Sequence, residues 1–217
     1  MLLIKFDSLF FMKNVYLFLF SIFSISLSSA EIDAPLGVKW GLTKYQLNGM
    51  SVKLSDCEIL ENGVEMCKAT NTPKSLSFAD SVFFYFHYKK KTLEAVYVSG
   101  KTIENDVYGS QGKEDYDKVK ASLYKKYPES SGYTHTEYEV MGLNLYDQND
   151  EFYQCLNYEG CGYWISFVSG MENSVYFQLN GIGRGLGYLG VKWESPEWEK
   201  MLDAIADDVL TQDEDAL

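Results

Sequence analysis

The chain has 217 residues, with 31 acidic against 19 basic side chains and a formal net charge of −12. Apolar residues make up 46% of it, while Gly and Pro occupy only 17 and 4 positions, which excludes a disordered or collagen-like chain. Arg184 is the only arginine, and so acidic a chain argues against nucleic acid as a partner, because binding phosphate takes clustered Lys and Arg.

In chain order the first feature is a leader. Met12-Lys13-Asn14 supplies a positive start, Val15 to Leu27 an apolar run, and Ser28-Ser29-Ala30 small residues before a cut between Ala30 and Glu31. This is the three-part layout of a secretory signal peptide, and the run is shorter than the roughly 20 residues a bilayer span requires. Residues 1–30 are therefore expected to be a cleaved signal peptide, with Met12 as a second candidate start. Position 31 is Glu rather than a lipid-anchor Cys, and no later run is long enough to cross a membrane. The expected product is periplasmic or secreted, with no transmembrane anchor after cleavage. It carries 17 basic and 30 acidic residues, a net charge of −13, 16 Tyr and 4 Trp. A single domain over residues 31–209 can bury a proper core.

Thr43 starts a short helix ending near Gly49. Val52–Leu60 and Val64–Thr70 then flank Glu61-Asn62-Gly63. The four cysteines, Cys57, Cys67, Cys155 and Cys161, allow three pairings, and in an exported chain they read as disulfides. Local pairing, Cys57 with Cys67 and Cys155 with Cys161, is favoured. A two-residue turn would place Cys57 opposite Lys68. A three-residue loop with Gly63 left-handed pairs Leu60 with Val64 and Cys57 with Cys67. It also puts Leu54, Leu60, Val64 and Met66 on one face and the cysteines on the other. Cys155 and Cys161 bracket a second tight connection. Neither spacing provides the close ligand pairs of a metal site, so no cofactor or metal is expected.

Ser81–Tyr88, aromatic on both faces, reads as a central strand. Lys89-Lys90-Lys91 is a solvated turn, and Thr92–Val98 returns. Glu114–Tyr127 is a helix after Gly112, with Tyr116, Val119, Leu123 and Tyr127 on one stripe, acids at its start, Lys125-Lys126 at its end, and Pro128 stopping it. Strands are expected over Glu137–Tyr146, Phe152–Leu156, Tyr163–Val168, Ser174–Asn180 and Tyr188–Trp193. Ser195 caps a last helix from Pro196 to about Val209. The acidic stretch after it, 210–217, reads as a flexible tail.

Leu36-Gly37-Val38-Lys39-Trp40 recurs as Leu189-Gly190-Val191-Lys192-Trp193, each followed by a capping residue and a helix. That echo suggests a repeated strand-to-helix junction with similarly packed tryptophans. The expected class is α+β: antiparallel meander sheets with two to three helices on one face, arranged as two helix-then-sheet units. Trp40-Gly41-Leu42-Thr43-Lys44-Tyr45-Gln46-Leu47 resembles the G-x-[ST]-x-x-x-apolar opening helix of small bacterial envelope modules of the BamE and β-lactamase-inhibitor types. The match covers those residues and the order of elements. It implies a helix followed by an antiparallel sheet, and a protein-binding module rather than a catalyst.

Catalytic chemistry is hard to assemble from these residues. His87 reads as a hydrogen-bonded residue mid-strand and His135 as an exposed strand or loop residue; no spacing joins them with a carboxylate into a metal site. No G-x-S-x-G elbow is present. Gly181-Ile182-Gly183-Arg184-Gly185-Leu186-Gly187 is followed by a strand, not the helix a dinucleotide fingerprint needs, and reads as a flexible hairpin presenting Arg184. Asp147–Glu151 is a solvated acidic turn. Tyrosines of exposed strands supply contact area at low entropic cost. The expected function is an exported, non-catalytic protein-binding module, such as an inhibitor, immunity protein or envelope-assembly factor. Arg184, Tyr158, Tyr163 and Tyr188 are its candidate contacts with a cationic protein. A secreted hydrolase or carbohydrate-active enzyme using paired carboxylates and a small-ligand carrier are the alternatives.

Overall fold

Helix α1 (Lys44–Gly49) begins where the sequence places its cap: the Thr43 hydroxyl accepts from the Gln46 N–H and the Gln46 side chain accepts from the Thr43 N–H, a capping box. A computed structural model of the chain describes residues 30–141, 151–158 and 161–216. Residues 1–29 of the expected signal peptide, the loop residues 159–160 and most of the Asp147–Glu151 turn lie outside the described residues. After α1 come strands β1 (Lys53–Ile59), β2 (Glu65–Thr70), β3 (Ala79–Phe86) and β4 (Leu93–Gly100). Helix α2 (Ser110–Lys126), β5 (Thr134–Met141), a short helix α3 (Phe152–Asn157), β6 (Gly162–Ser169), β7 (Ser174–Gly183), β8 (Leu186–Glu194) and α4 (Trp198–Ala216) follow.

The strands form one eight-stranded sheet in the order β1-β2-β3-β4-β8-β7-β6-β5. Two antiparallel meanders, each led by a helix, thus meet through their last strands. β4 and β8 pair antiparallel from Ala95↔Glu194 to Ser99↔Gly190, with Tyr97 opposite Lys192 at the centre. The α+β class and the two helix-led units are as the sequence suggests. Among the described residues there are four α-helices, and they do not share one face. α1, α2 and α3 lie on what we call the near face, over Phe84, Val98, Phe177 and Val191. α4 packs on the far face, against Val64 and Ala95.

Both disulfides, Cys57–Cys67 and Cys155–Cys161, are formed. The first hairpin uses the three-residue loop: Leu60 N–H donates to the Val64 carbonyl at 2.9 Å and Gly63 has φ 77°. One detail differs. A bulge lies between Ser55 and Glu58, with Asp56 at φ 47°. An extra residue inverts the side-chain alternation beyond it. Leu54 therefore pairs with Ala69 and packs on the near-face core, on the cysteines' side rather than with Leu60 and Val64.

Other elements also depart from the sequence reading. Phe152–Leu156 lies in helix α3, not in a strand: Phe152, Tyr153 and Cys155 are buried together, a helical spacing, and the Cys161 crosslink closes the loop behind them. The glycine-rich stretch is a hairpin, as expected, but only residues 184 and 185 lie between its strands. It forms the ends of β7 and β8, where Gly181 and Gly187 pair. A Cβ at Gly187 would lie 2.1 Å from the Tyr153 ring and one at Gly181 1.8 Å from the Tyr153 carbonyl oxygen. The glycines let α3 lie directly on the sheet. Helix α2 starts at Ser110, before Gly112, so Glu114, Asp115 and Asp117 fall after its first turn. Asp106 does the capping, accepting from the Gly112 N–H at 3.0 Å and the Tyr153 hydroxyl at 3.0 Å.

The pentapeptide echo is not a structural repeat. Leu189–Trp193 lies in β8, whereas Leu36 and Gly37 have φ of 61° and 80° and make a turn. Trp193 is buried in the near-face core, while half-buried Trp40 donates its Nε1–H to the Ile32 carbonyl. At the chain's end, the Ser195 hydroxyl accepts from the Glu197 N–H, α4 starts at Trp198, and its backbone runs to Ala216 through the stretch expected as a flexible tail.

Candidate functional site

The far face of the sheet divides into a covered and an open part. Over β2, β3 and β4, α4 closes it. Trp198, Met201 and Ile205 form a buried cluster with Val64 and Ala95, and Trp198 meets Tyr85 edge to face at 5.8 Å. The β3–β4 turn is tied to the same helix and to the residue before it by Lys89–Asp208 and Lys90–Glu197 ion pairs of 2.8 and 2.7 Å. Among the described residues no helix packs on this face over β5, β6 and β7.

Antiparallel register lines up the side chains that remain. One row of direct cross-strand partners runs Phe83, Tyr97, Lys192, Tyr176, Phe167, Thr136 across β3, β4, β8, β7, β6 and β5. The next runs Ser99, Gly190, Gln178, Ile165, Tyr138. Ring centroids are 6.4 Å apart for Phe83–Tyr97, 5.8 Å for Phe167–Tyr176 and 6.2 Å for Tyr138–Phe167, within the range of favourable aromatic pairs. Exposure rises toward the β5 edge, where Tyr138, Val140 and Tyr163 are 52%, 54% and 55% exposed.

The electrostatics at the centre of this face are those of neutral phenols around Lys192. Burial, then a hydrogen bond with Tyr188, pushes the Tyr97 phenol far above its ordinary value. Burial, with Glu194 nearby, pushes Tyr176 up to about 12. Both stay protonated near neutral pH and can donate hydrogen bonds. Lys192, partnered by Glu194 at 2.8 Å, lies 4.1 Å from the Trp198 ring and 5.8 Å from those of Tyr85 and Tyr176. It joins the open part to the edge of the α4 cover.

Of the contacts read from sequence, Tyr163 and Tyr188 fall on this face, the first exposed and the second half-buried opposite Asn180. Tyr158 is exposed at the C-terminal end of α3, a near-face helix, and Arg184 is exposed in the turn between β7 and β8. The structure does not bring these two into the aromatic rows. Phe83, Tyr97, Tyr138, Phe167 and Tyr176 were missing from the sequence reading. The signal that finds them is the two-residue alternation, Tyr163-Ile165-Phe167 and Tyr176-Gln178-Asn180, once one face is recognised as open.

The histidines stand elsewhere. His87 lies just after β3 instead of mid-strand, and its Nδ1 accepts from the Lys89 and Lys90 backbone N–H groups at 3.1 and 3.3 Å. His135 is on β5, half-buried; its Nε2–H donates to the Tyr127 carbonyl at 2.7 Å and its ring stacks 3.8 Å from Tyr124. On the near face a groove of about 500 Å³ runs between Leu76–Phe78 and Val119–Leu123, with Trp193 as its floor. Among the described residues no helix is long and apolar enough to cross a membrane.

No family model, curated protein or solved structure matches the chain.

Proposed function

We propose that this chain is an exported, non-catalytic protein-binding module and that the open far face over β5–β8 receives its partner. The observation that carries this reading is the run of aromatic side chains left without a helix over it, beside an equivalent stretch that α4 covers. Exposed contiguous apolar surface of this kind marks interaction sites, and tyrosine-rich surfaces are typical of binding faces. The net charge of −12 favours a cationic partner, whose Lys or Arg side chains can stack on the rings of Tyr138, Tyr163 and Phe167. An inhibitor, an immunity protein or an envelope-assembly factor would each use such a face. The resemblance of residues 40–47 to envelope modules with a helix-then-sheet build points the same way.

The test is capture of partners on the immobilised chain at low and high salt, in parallel with two variants. Tyr138→Ala with Tyr163→Ala alters the open face; Lys118→Ala alters the near side. Loss of a salt-sensitive partner only in the first variant supports the reading. Equal capture by both variants, or none by the wild type, overturns it. The groove beside Trp193 favours a second reading, carriage of a small apolar ligand. An apolar fluorescent dye that binds the wild type and not Val119→Arg would support that one.

A further inference from the structure

We propose that the Cys57–Cys67 disulfide is a thiol–disulfide exchange site, whereas Cys155–Cys161 is a fixed staple. The two crosslinks differ in access. Cys155 and Cys161 are 1% and 4% exposed. Cys57 lies on β1, at the edge of the sheet; it is exposed, and its partner Cys67 is fully buried. The bulge between Ser55 and Glu58 lies at the same place, so that Asp56 and Cys57 together stand opposite Cys67. An incoming thiolate can therefore reach one sulfur of this bond, that of Cys57.

The surroundings suit the chemistry. The Lys44 ammonium is 3.8 Å from the Cys57 sulfur and is held there by an ion pair with Glu65, whose carboxylate lies within 4.8 Å of both sulfurs. A fixed ammonium attracts the attacking thiolate to Cys57 and stabilises the Cys57 thiolate released in the second step; Glu65 positions that ammonium and offsets part of its charge. Cations beside a cysteine favour its thiolate form, and exposed disulfides are the exchangeable ones. Among the described residues no cationic side chain is recorded against the Cys155–Cys161 pair.

The step balances with an external dithiol as reductant. One of its thiolates attacks the Cys57 sulfur, forming a mixed disulfide, and the Cys57–Cys67 bond breaks with its electron pair on the Cys67 sulfur, which takes up the proton that the attacking thiol gave up on ionising. The second thiolate of the dithiol attacks its own sulfur in the mixed disulfide and expels Cys57 as thiolate, which is also protonated. Two electrons pass to the protein, leaving two thiols on it and a disulfide on the partner. The reverse sequence restores the crosslink. This site lies apart from the aromatic face and does not depend on it.

The experiment treats the folded, oxidised protein with dithiothreitol near neutral pH, quenches with an alkylating agent at intervals, and assigns the labelled cysteines by peptide mass. Cys57 and Cys67 are expected to label at least tenfold faster than Cys155 and Cys161, at a rate unchanged by urea below the unfolding transition. With a monothiol probe, glutathione, the adduct is expected on Cys57. Lys44→Met should slow reduction several-fold, and Lys44→Arg should keep most of the rate. Equal rates for the two disulfides, a rate that follows global unfolding, an adduct on Cys67, or an unchanged rate in a folded Lys44→Met variant would each overturn the proposal.

Discussion

Each meander has a leading helix and four antiparallel strands, the second with α3 inserted between β5 and β6, yet their far faces have opposite fates. Over β2–β4 the far-face residues Val64 and Ala95 are fully buried beneath Trp198, Met201 and Ile205. Over β5 and β6, Tyr138, Val140 and Tyr163 are more than half exposed. Residue type does not divide the two halves: the phenol Tyr85 lies beneath Trp198, whereas the branched Val140 is exposed. What differs is α4, which excludes water from the apolar side chains it covers. The phenols of the open half keep one end in water beside an apolar ring. One half of the far face is thus covered within the chain, and no helix among the described residues covers the other.

The comparison can be broken most strongly at Trp198. Trp198→Ala removes the residue that covers Tyr85 and contacts Lys192, and should cost about 3–5 kcal/mol in urea unfolding. A loss below about 1 kcal/mol would mean that α4 does not seal the first half. Smaller effects are expected where a side chain meets the backbone of another segment. Gly187→Ala would push a methyl into the Tyr153 ring and should cost about 1–3 kcal/mol. Asn173→Ala should cost a similar amount, about 1–3 kcal/mol, because the Asn173 amide bonds both the N–H and the carbonyl of buried Ile32 at 2.9 and 2.7 Å. Wild-type stability in the Asn173 variant would show that the second meander does not anchor the segment before α1.

A pH effect sharpens the comparison at the turn that joins β3 and β4 to α4. Burial first, then Lys90, lowers the His87 pKa below its ordinary 6.5, with Lys89 acting the same way and Glu94 and Glu197 opposing. The folded protein therefore binds this proton less readily than the unfolded chain does. Stability from neutral His87 is present above about pH 6.5 and is lost as pH falls below it, since protonation removes the Nδ1 acceptor used by the Lys89 and Lys90 N–H groups. Thermal scans from pH 7 to 5 should show a fall in Tm for the wild type that is shallower in His87→Asn. The smallest effect on stability is expected on the open half: Tyr138→Ala should change the unfolding free energy by less than about 0.5 kcal/mol, while partner affinity falls roughly tenfold. Strong destabilisation by that variant would place Tyr138 in the fold's own packing instead.

Much of the fold is legible residue by residue where the cause is local. Thr43 and Ser195 accept backbone N–H groups at the two helix starts, Gly63 takes the left-handed position of its loop, and the lysines after Phe86 make the expected turn. The site was legible only in part. Tyr163 and Tyr188 stand out as strand tyrosines, but an alternating pattern says only that two faces differ, and not which one a helix will cover. Arg184 stood out for its glycine neighbours, whose role is to admit α3 at Gly181 and Gly187 across the sheet.

By itself, the sequence determined the α+β class, two helix-led units, the three-residue loop of the Cys57–Cys67 hairpin and the net negative charge, because these depend on composition and on neighbours a few residues apart. The tertiary structure decided the rest. Pairing of β4 with β8 set which side chains share a row, the bulge at Asp56 moved Leu54 to the other face, and close approach to glycines made Phe152–Asn157 a helix. Identical pentapeptides became a turn and a strand because long-range packing outweighs the local preference of five residues. The position of α4 on the far face, covering one meander and not the other, arose in the same way, from contacts made across the sheet.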